Sequence, residues 1–181
     1  EQDVDKAKSM LEDAGVSGLK LKLGYMSSDA VQSAQALLIQ EQLKEVGVTV
    51  ELAGGDGTAI ANAMKDPDNE YDMYLGGYIM GIDPDTFSSL FENDGAYNYM
   101  HYSGYDTIDQ LFEEGRSELD ESARKETYAK LQAAVQDTGA FYPIISNNKI
   151  LVVNNRIQGV EDAGLVPVYT FEDTSSLKIA E

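Results

Sequence analysis

Few side chains in this sequence of 181 residues are equipped for covalent or metal chemistry. Cysteine is absent, which closes thiol catalysis, thiolate zinc sites and disulfides together. His101 is the one histidine, so paired-histidine metal binding is closed as well. A Ser-His-Asp arrangement would have to run through His101, and no Gly-x-Ser-x-Gly turn accompanies it. The plain expectation for His101 is a surface or hydrogen-bonded residue beside a group of tyrosines. Asp66, Asp68, Glu70 and Asp72 alternate as at the start of a calcium loop, but the sixth position is Tyr71 where glycine is needed and the twelfth is Gly77 where glutamate is needed. These four acids read as a solvated turn. Gly54-Gly55-Asp56-Gly57 precedes a helix, yet lacks the Lys-Ser/Thr of a P-loop and the spacing of a dinucleotide fingerprint. It reads as a flexible strand-to-helix connection. The residues offer no cofactor, no metal site and no catalytic pair.

They do offer a surface for reversible binding. Residues 71–91, YDMYLGGYIMGIDPDTFSSLF, read as a short strand, a glycine-flanked aromatic turn and a helix opened by Asp-Pro-Asp. Gly76 and Gly77 lack a Cβ, so the backbone there turns sharply and can approach a ligand closely. Tyrosine adds a flat apolar body with a polar tip, which suits a cleft. Tyr97, Tyr99, Tyr102 and Tyr105 follow within the next turn of sequence. The candidate ligand contacts are Gly77, Tyr78, Ile79, Met80, Gly81, Asp83 and Tyr97. Asp83 is the nearby carboxylate for a cationic ligand group, Pro84 fixes the approach to the helix, and Asp85 is the expected helix cap.

Composition narrows the partners. The 13 basic residues face 32 acidic ones, a formal charge of −19. Phosphate backbones need clustered Lys and Arg, so nucleic acid is not an expected partner, nor is an anionic lipid surface. No apolar run approaches the roughly 18–20 residues of a membrane helix. The chain opens at Glu1 without Met, and it reads as a fragment of a longer protein.

The pattern predicts one α/β domain over residues 1–181. A helix over 4–14 is capped by Asp3 or Asp5, and a strand over 19–25 alternates Leu19, Leu21 and Leu23 against Lys20 and Lys22. Asp29 and Gln32 form a capping box for a helix running to about Val46, with Val31, Ala34, Leu38, Leu43 and Val46 inward. A strand over 48–52 completes a β-α-β unit whose crossover suits parallel, right-handed pairing. Further elements are a helix over 56–64, a strand over 71–75, and helices over 85–91, 106–119 and 121–136. The last carries Tyr128, Leu131 and Val135 as its apolar face. Strands over 142–145 and 149–153 and a loop-like tail with a short strand near 166–171 complete the prediction.

Five segments in order resemble the extracellular solute-binding proteins of family 5, the dipeptide-, oligopeptide- and nickel-binding components of bacterial ABC importers. They are DVDKAKSMLEDAG, ALLIQEQLKEVGVTVEL, the 71–91 stretch, YSGYDTIDQLFEEGRSELDESARKETYAKLQ and the ending LVPVYTFEDTSSLKIAE. The resemblance implies a mixed-sheet α/β lobe of a two-lobed clam, here the C-terminal lobe, with residues from about 165 to 181 returning toward a missing N-terminal lobe. It implies a non-enzymatic role: a peptide is enclosed between the lobes and delivered to the ABC permease membrane subunits. The same scaffold also takes non-peptide solutes such as an oligosaccharide or a nickel chelate. The implied location is extracytoplasmic, either lipid-anchored at the outer face of the membrane or periplasmic. Peptide binders of the family hold the peptide's α-ammonium with an Asp three residues after a loop aromatic. Here Tyr78 matches the aromatic and Gly81 the third position, while counting back from Asp83-Pro84 gives Met80. Neither is acidic, which leaves Asp83 as the nearest substitute.

Overall fold

A computed structural model describes residues 2–79, 81–101, 105–146, 148, 150–166 and 170–180. Helix α1 (Val4–Asp13) begins at Asp3, whose carboxylate accepts from Lys6 N at 2.9 Å, while Asp5 lies in the first turn near the positive end of the helix dipole. Gly15, at φ 67°, turns the chain out of the helix. Strand β1 (Lys20–Met26), helix α2 (Ala30–Glu45) and strand β2 (Thr49–Gly55) form the predicted parallel β-α-β unit, with Lys20 opposite Thr49 and Met26 opposite Gly55. Helix α3 (Gly57–Ala63) follows, capped by Asp56. Strand β3 (Met73–Tyr74) then pairs parallel with β1 on its other side, giving the order β2-β1-β3. The family of three strands therefore ends along one edge, where Gly55 and Leu75 lead out.

Leu23, Ala36, Val48, Val50 and Leu75 make the core of this sheet unit. Leu43 and Val46 pack on it as predicted, but the first half of the α2 stripe is corrected. Val31 is 61% and Leu38 58% exposed, and Ala36 is completely buried. Two glutamines explain the rotation. Gln32 Oε1 accepts from Met26 N at 2.9 Å, and Gln40 Nε2 donates to Val50 O at 2.7 Å. The sheet-facing stripe thus carries polar side chains that satisfy strand backbone, and a pattern read from hydrophobicity alone turns the helix the wrong way. Gln32 also does not close a capping box: Asp29 N donates to Met26 O at 3.1 Å.

The second half of the chain is helical. A 3-10 turn (Pro84–Phe87) runs into α4 (Ser88–Phe91), so the helix predicted over 85–91 is tighter at its start. Helices α5 (Asp106–Ser117) and α6 (Glu121–Asp137) follow, the latter capped by Asp120. Leu90, Phe91, Ile108, Leu111, Phe112, Tyr128 and Leu131 form a separate helical core. α5 and α6 approach closely because Gly115 is buried against the Tyr128 ring, and a Cβ there would lie 2.7 Å from that ring. Phe112 and Tyr128 meet edge to face, their centroids 6.4 Å apart.

Beyond α6 the prediction of strands over 142–145 and 149–153 fails among the described residues; Asn147 and Lys149 lie outside them. The β-branched composition is there, but no neighbouring strand is, and strand propensity is realised only by pairing. Tyr142 is 85% and Val152 90% exposed. The tail holds two small antiparallel pairs, β4 (Ile157–Gln158) with β7 (Lys178–Ile179) and β5 (Leu165–Val166) with β6 (Thr170–Phe171). The mixed character of the α/β fold thus lies between sheets: one is parallel and two are antiparallel.

Candidate functional site

The 76–82 loop hangs between the two cores. On its N-terminal side Leu75 is buried in the sheet core and its N–H donates to Gly24 O at 2.9 Å. On its C-terminal side Leu90 and Phe91 belong to the helical core. Open sheets bind ligands outside the carboxyl ends of their parallel strands, and the loop leaves β3 at that edge. Gly76, Gly77, Ile79, Gly81 and Ile82 are exposed, Ile82 at 97%. Among the described loop residues, no backbone hydrogen bond is made to another described residue. Met80, one of the predicted contacts, lies outside the described residues, as does Tyr102.

Tyr78 does not stand free in the loop. It is half-buried and packs against the helical core, with Gly76 at 3.9 Å from its ring in Cβ terms. Its hydroxyl oxygen and that of Tyr74 are both buried without a hydrogen-bond partner among the described residues. Burial pushes the Tyr74 hydroxyl far above its ordinary range, with Tyr78 and Tyr99 adding to the rise; burial and then Tyr99 raise Tyr78 likewise. Tyr97 is exposed and meets Tyr99 edge to face at 6.0 Å. Among the described residues, Ile79 and Ile82 of the loop, and Tyr97 beyond α4, are large apolar groups turned to solvent.

The Asp-Pro-Asp block is built otherwise than predicted. Asp83, rather than Asp85, caps the turn: its Oδ1 accepts from Asp85 N at 2.8 Å because the helix starts one residue earlier, at Pro84. The same carboxylate accepts from Arg124 Nη2 at 2.9 and 3.1 Å. The Asp85 amide first, and the Arg124 guanidinium second, hold Asp83 below the usual carboxylate range. Arg124 is itself fixed, donating from Nε to Gly115 O at 2.8 Å and lying 5.0 Å over the Tyr128 ring. Asp85 meets Arg116 Nε at 2.8 Å, and Arg116 also bridges Glu92 and Glu113. One arginine from α5 and one from α6 thus brace the base of the loop. Composition gave no sign of them; the available signal was spacing, since Arg124 sits four residues before Tyr128 on the apolar face of α6.

The acids of the 66–72 turn face different partners. Asp66 accepts from Asp68 N at 3.0 Å, Asp72 accepts from Lys22 N at 2.7 Å, and Glu70 pairs with Lys22 Nζ. His101, at φ 51°, donates from Nε2 to Met64 O at 2.7 Å and so closes the C-terminal end of α3. No group of three metal-ligating side chains occurs among the described residues.

Comparison with known proteins places this geometry in a lineage. The ABC transporter substrate-binding protein CtaP from Listeria monocytogenes has a structure that superposes with a TM-score of 0.90 at 38% identity, covering 100% of this chain and 37% of that one. AppA from Clostridium difficile superposes with a TM-score of 0.87 at 32% identity, covering 99% of this chain and 37% of that one. The peptide transport periplasmic protein SapA of Haemophilus influenzae is 26% identical over 163 residues, which is 86% of this chain and 28% of SapA. The chain therefore spans about a third of the length of the relatives it matches. Residues 1–99 match the family model described as bacterial extracellular solute-binding proteins, family 5 Middle, and the chain belongs to that family.

Proposed function

We propose that the chain is the C-terminal ligand-binding lobe of an ABC-importer substrate-binding protein, residues 1–181 forming one domain and about 165–181 returning toward an N-terminal lobe. The ligand is a peptide held between the lobes; the closed form docks on the permease membrane subunits, and no covalent step is involved. The location is extracytoplasmic, by lipid anchor or in a periplasm. The observation that carries this reading is the 76–82 loop, which leaves the carboxyl edge of the sheet with no backbone hydrogen bond among the described residues and with Ile79 and Ile82 exposed. Extended peptides are read by main-chain hydrogen bonds with pockets for alternate side chains, and such a loop offers backbone groups for the first of these. Gly77, Tyr78, Ile79, Met80, Gly81 and Tyr97 are the proposed contacts. Peptide transport by SapA supports the ligand class.

A non-peptide solute, an oligosaccharide or a nickel chelate, is the second reading, favoured by the engagement of Asp83 with Arg124. Calorimetric titration of the full-length protein with peptides of two to nine residues, cello-oligosaccharides and nickel-histidine separates the two. Ile82 is the clean variant because it touches little of its own lobe. Ile82→Ser is expected to leave the melting temperature unchanged and to weaken peptide binding by more than about 1 kcal/mol. Unchanged peptide affinity in that variant counts against the loop as the contact surface.

A further inference from the structure

Asp83 is the loop's own carboxylate, and the geometry spends it on the protein. Its two oxygens receive Arg124 Nη2, and Oδ1 also receives the Asp85 amide. An exposed ion pair is by itself weak and open to exchange with a passing cation. This one differs because Arg124 does not depend on Asp83 for its position. The Gly115 carbonyl holds its Nε and the Tyr128 ring holds its face, so the guanidinium has little rotamer freedom left to lose on pairing. A ligand ammonium approaching Asp83 must displace a cation fixed from two other sides, and meets that cation's repulsion if it does not. The second acid of the block is no substitute, since Arg116 occupies Asp85. The exposed residues described in the loop are uncharged: Gly76, Gly77, Ile79, Gly81 and Ile82.

We propose that Arg124 is a specificity-determining residue: by occupying Asp83 it makes this lobe indifferent to a free ammonium on the ligand, so that the loop selects for neutral, apolar ligand segments. The inference rests on the peptide reading above. It assigns to Arg124 a role in ligand choice as well as in bracing the loop.

The experiment uses the full-length protein and one uncharged-side-chain pentapeptide, with a free or an N-acetylated terminus, titrated calorimetrically at low salt. The quantity read is the factor by which Asp83→Asn changes the affinity ratio of free to acetylated peptide. Asparagine keeps the helix cap, so this substitution preserves the fold. In the wild-type background the factor is expected to stay within about twofold, whatever the other lobe contributes to the ratio. In an Arg124→Gln background, where Asp83 is released, it is expected to reach about fivefold to tenfold and to shrink in half-molar salt. Arg124→Lys keeps the charge but loses the Gly115 bond and the flat face on Tyr128, so its factor is expected to lie between those of wild type and Arg124→Gln. A factor above fivefold in the wild type overturns the proposal. So does a factor near one in Arg124→Gln. Absence of binding heat with either peptide overturns the peptide reading itself, and with it this inference; the two failures are told apart by whether any peptide binds.

Discussion

Two tyrosine hydroxyls are the unusual residues of this chain. Those of Tyr74 and Tyr78 are buried without partners among the described residues, and a buried hydroxyl left unpaired costs about 1–3 kcal/mol. Replacing either tyrosine by phenylalanine keeps the ring and removes the penalty, so Tyr74→Phe and Tyr78→Phe are each expected to stabilise the chain by about 1 kcal/mol in urea unfolding. A loss of stability would show that the hydroxyl is engaged. Tyr74 also sets an alkaline limit. Its proton is held more tightly in the folded chain than in the unfolded one, where the value is near 10. The stability it contributes is therefore full below pH 10 and is lost as pH rises beyond it. Thermal melts between pH 9 and pH 11.5 are expected to show a decline that Tyr74→Phe makes shallower.

At the scale of elements, the α5–α6 contact has a single narrow point. A Cβ on Gly115 would lie 2.7 Å from the Tyr128 ring. Gly115→Ala gains helix propensity but overpacks this point, and a net loss of about 1–3 kcal/mol is expected, read as a shift of the urea midpoint. Arg124 donates to the Gly115 carbonyl, so the same variant is expected to loosen the brace on Asp83. The β-α-β unit, the short helix that follows it and the α6 face over Tyr128 and Leu131 were legible in the sequence because each is set by local periodicity. The face of α2 was not, because Gln32 and Gln40 bond strand backbone from the buried side. The cap at Asp83 was missed by two residues, and the arginines that hold the Asp-Pro-Asp block were invisible as partners, because pairs 41 and 31 residues apart are made by tertiary packing alone. The loop itself could be found from its glycines and aromatics. The inward packing of Tyr78 could not, since tyrosine serves a core and a cleft equally well.

At the scale of the molecule, the chain carries about a third of its relatives' length, and binding is expected to follow. On the proposed enclosure of a peptide between two lobes, the 181-residue chain is expected to bind that peptide at least about a hundredfold more weakly than the full-length protein, as measured by calorimetry. Micromolar or tighter binding by the chain alone would count against enclosure between lobes. The separation of the two cores has a different consequence. Strands β1 to β3 with α2 close one hydrophobic cluster, α4 to α6 close another, and no sheet element packs broadly on a helix of the second group among the described residues. Such an arrangement divides the chain into two cooperative units joined at the 76–82 loop. In native-state hydrogen exchange the amides of β1 and those of α5 should then open with distinct free energies and distinct denaturant slopes, so that the loop marks the boundary between two foldons and a ligand resting on it would protect both at once.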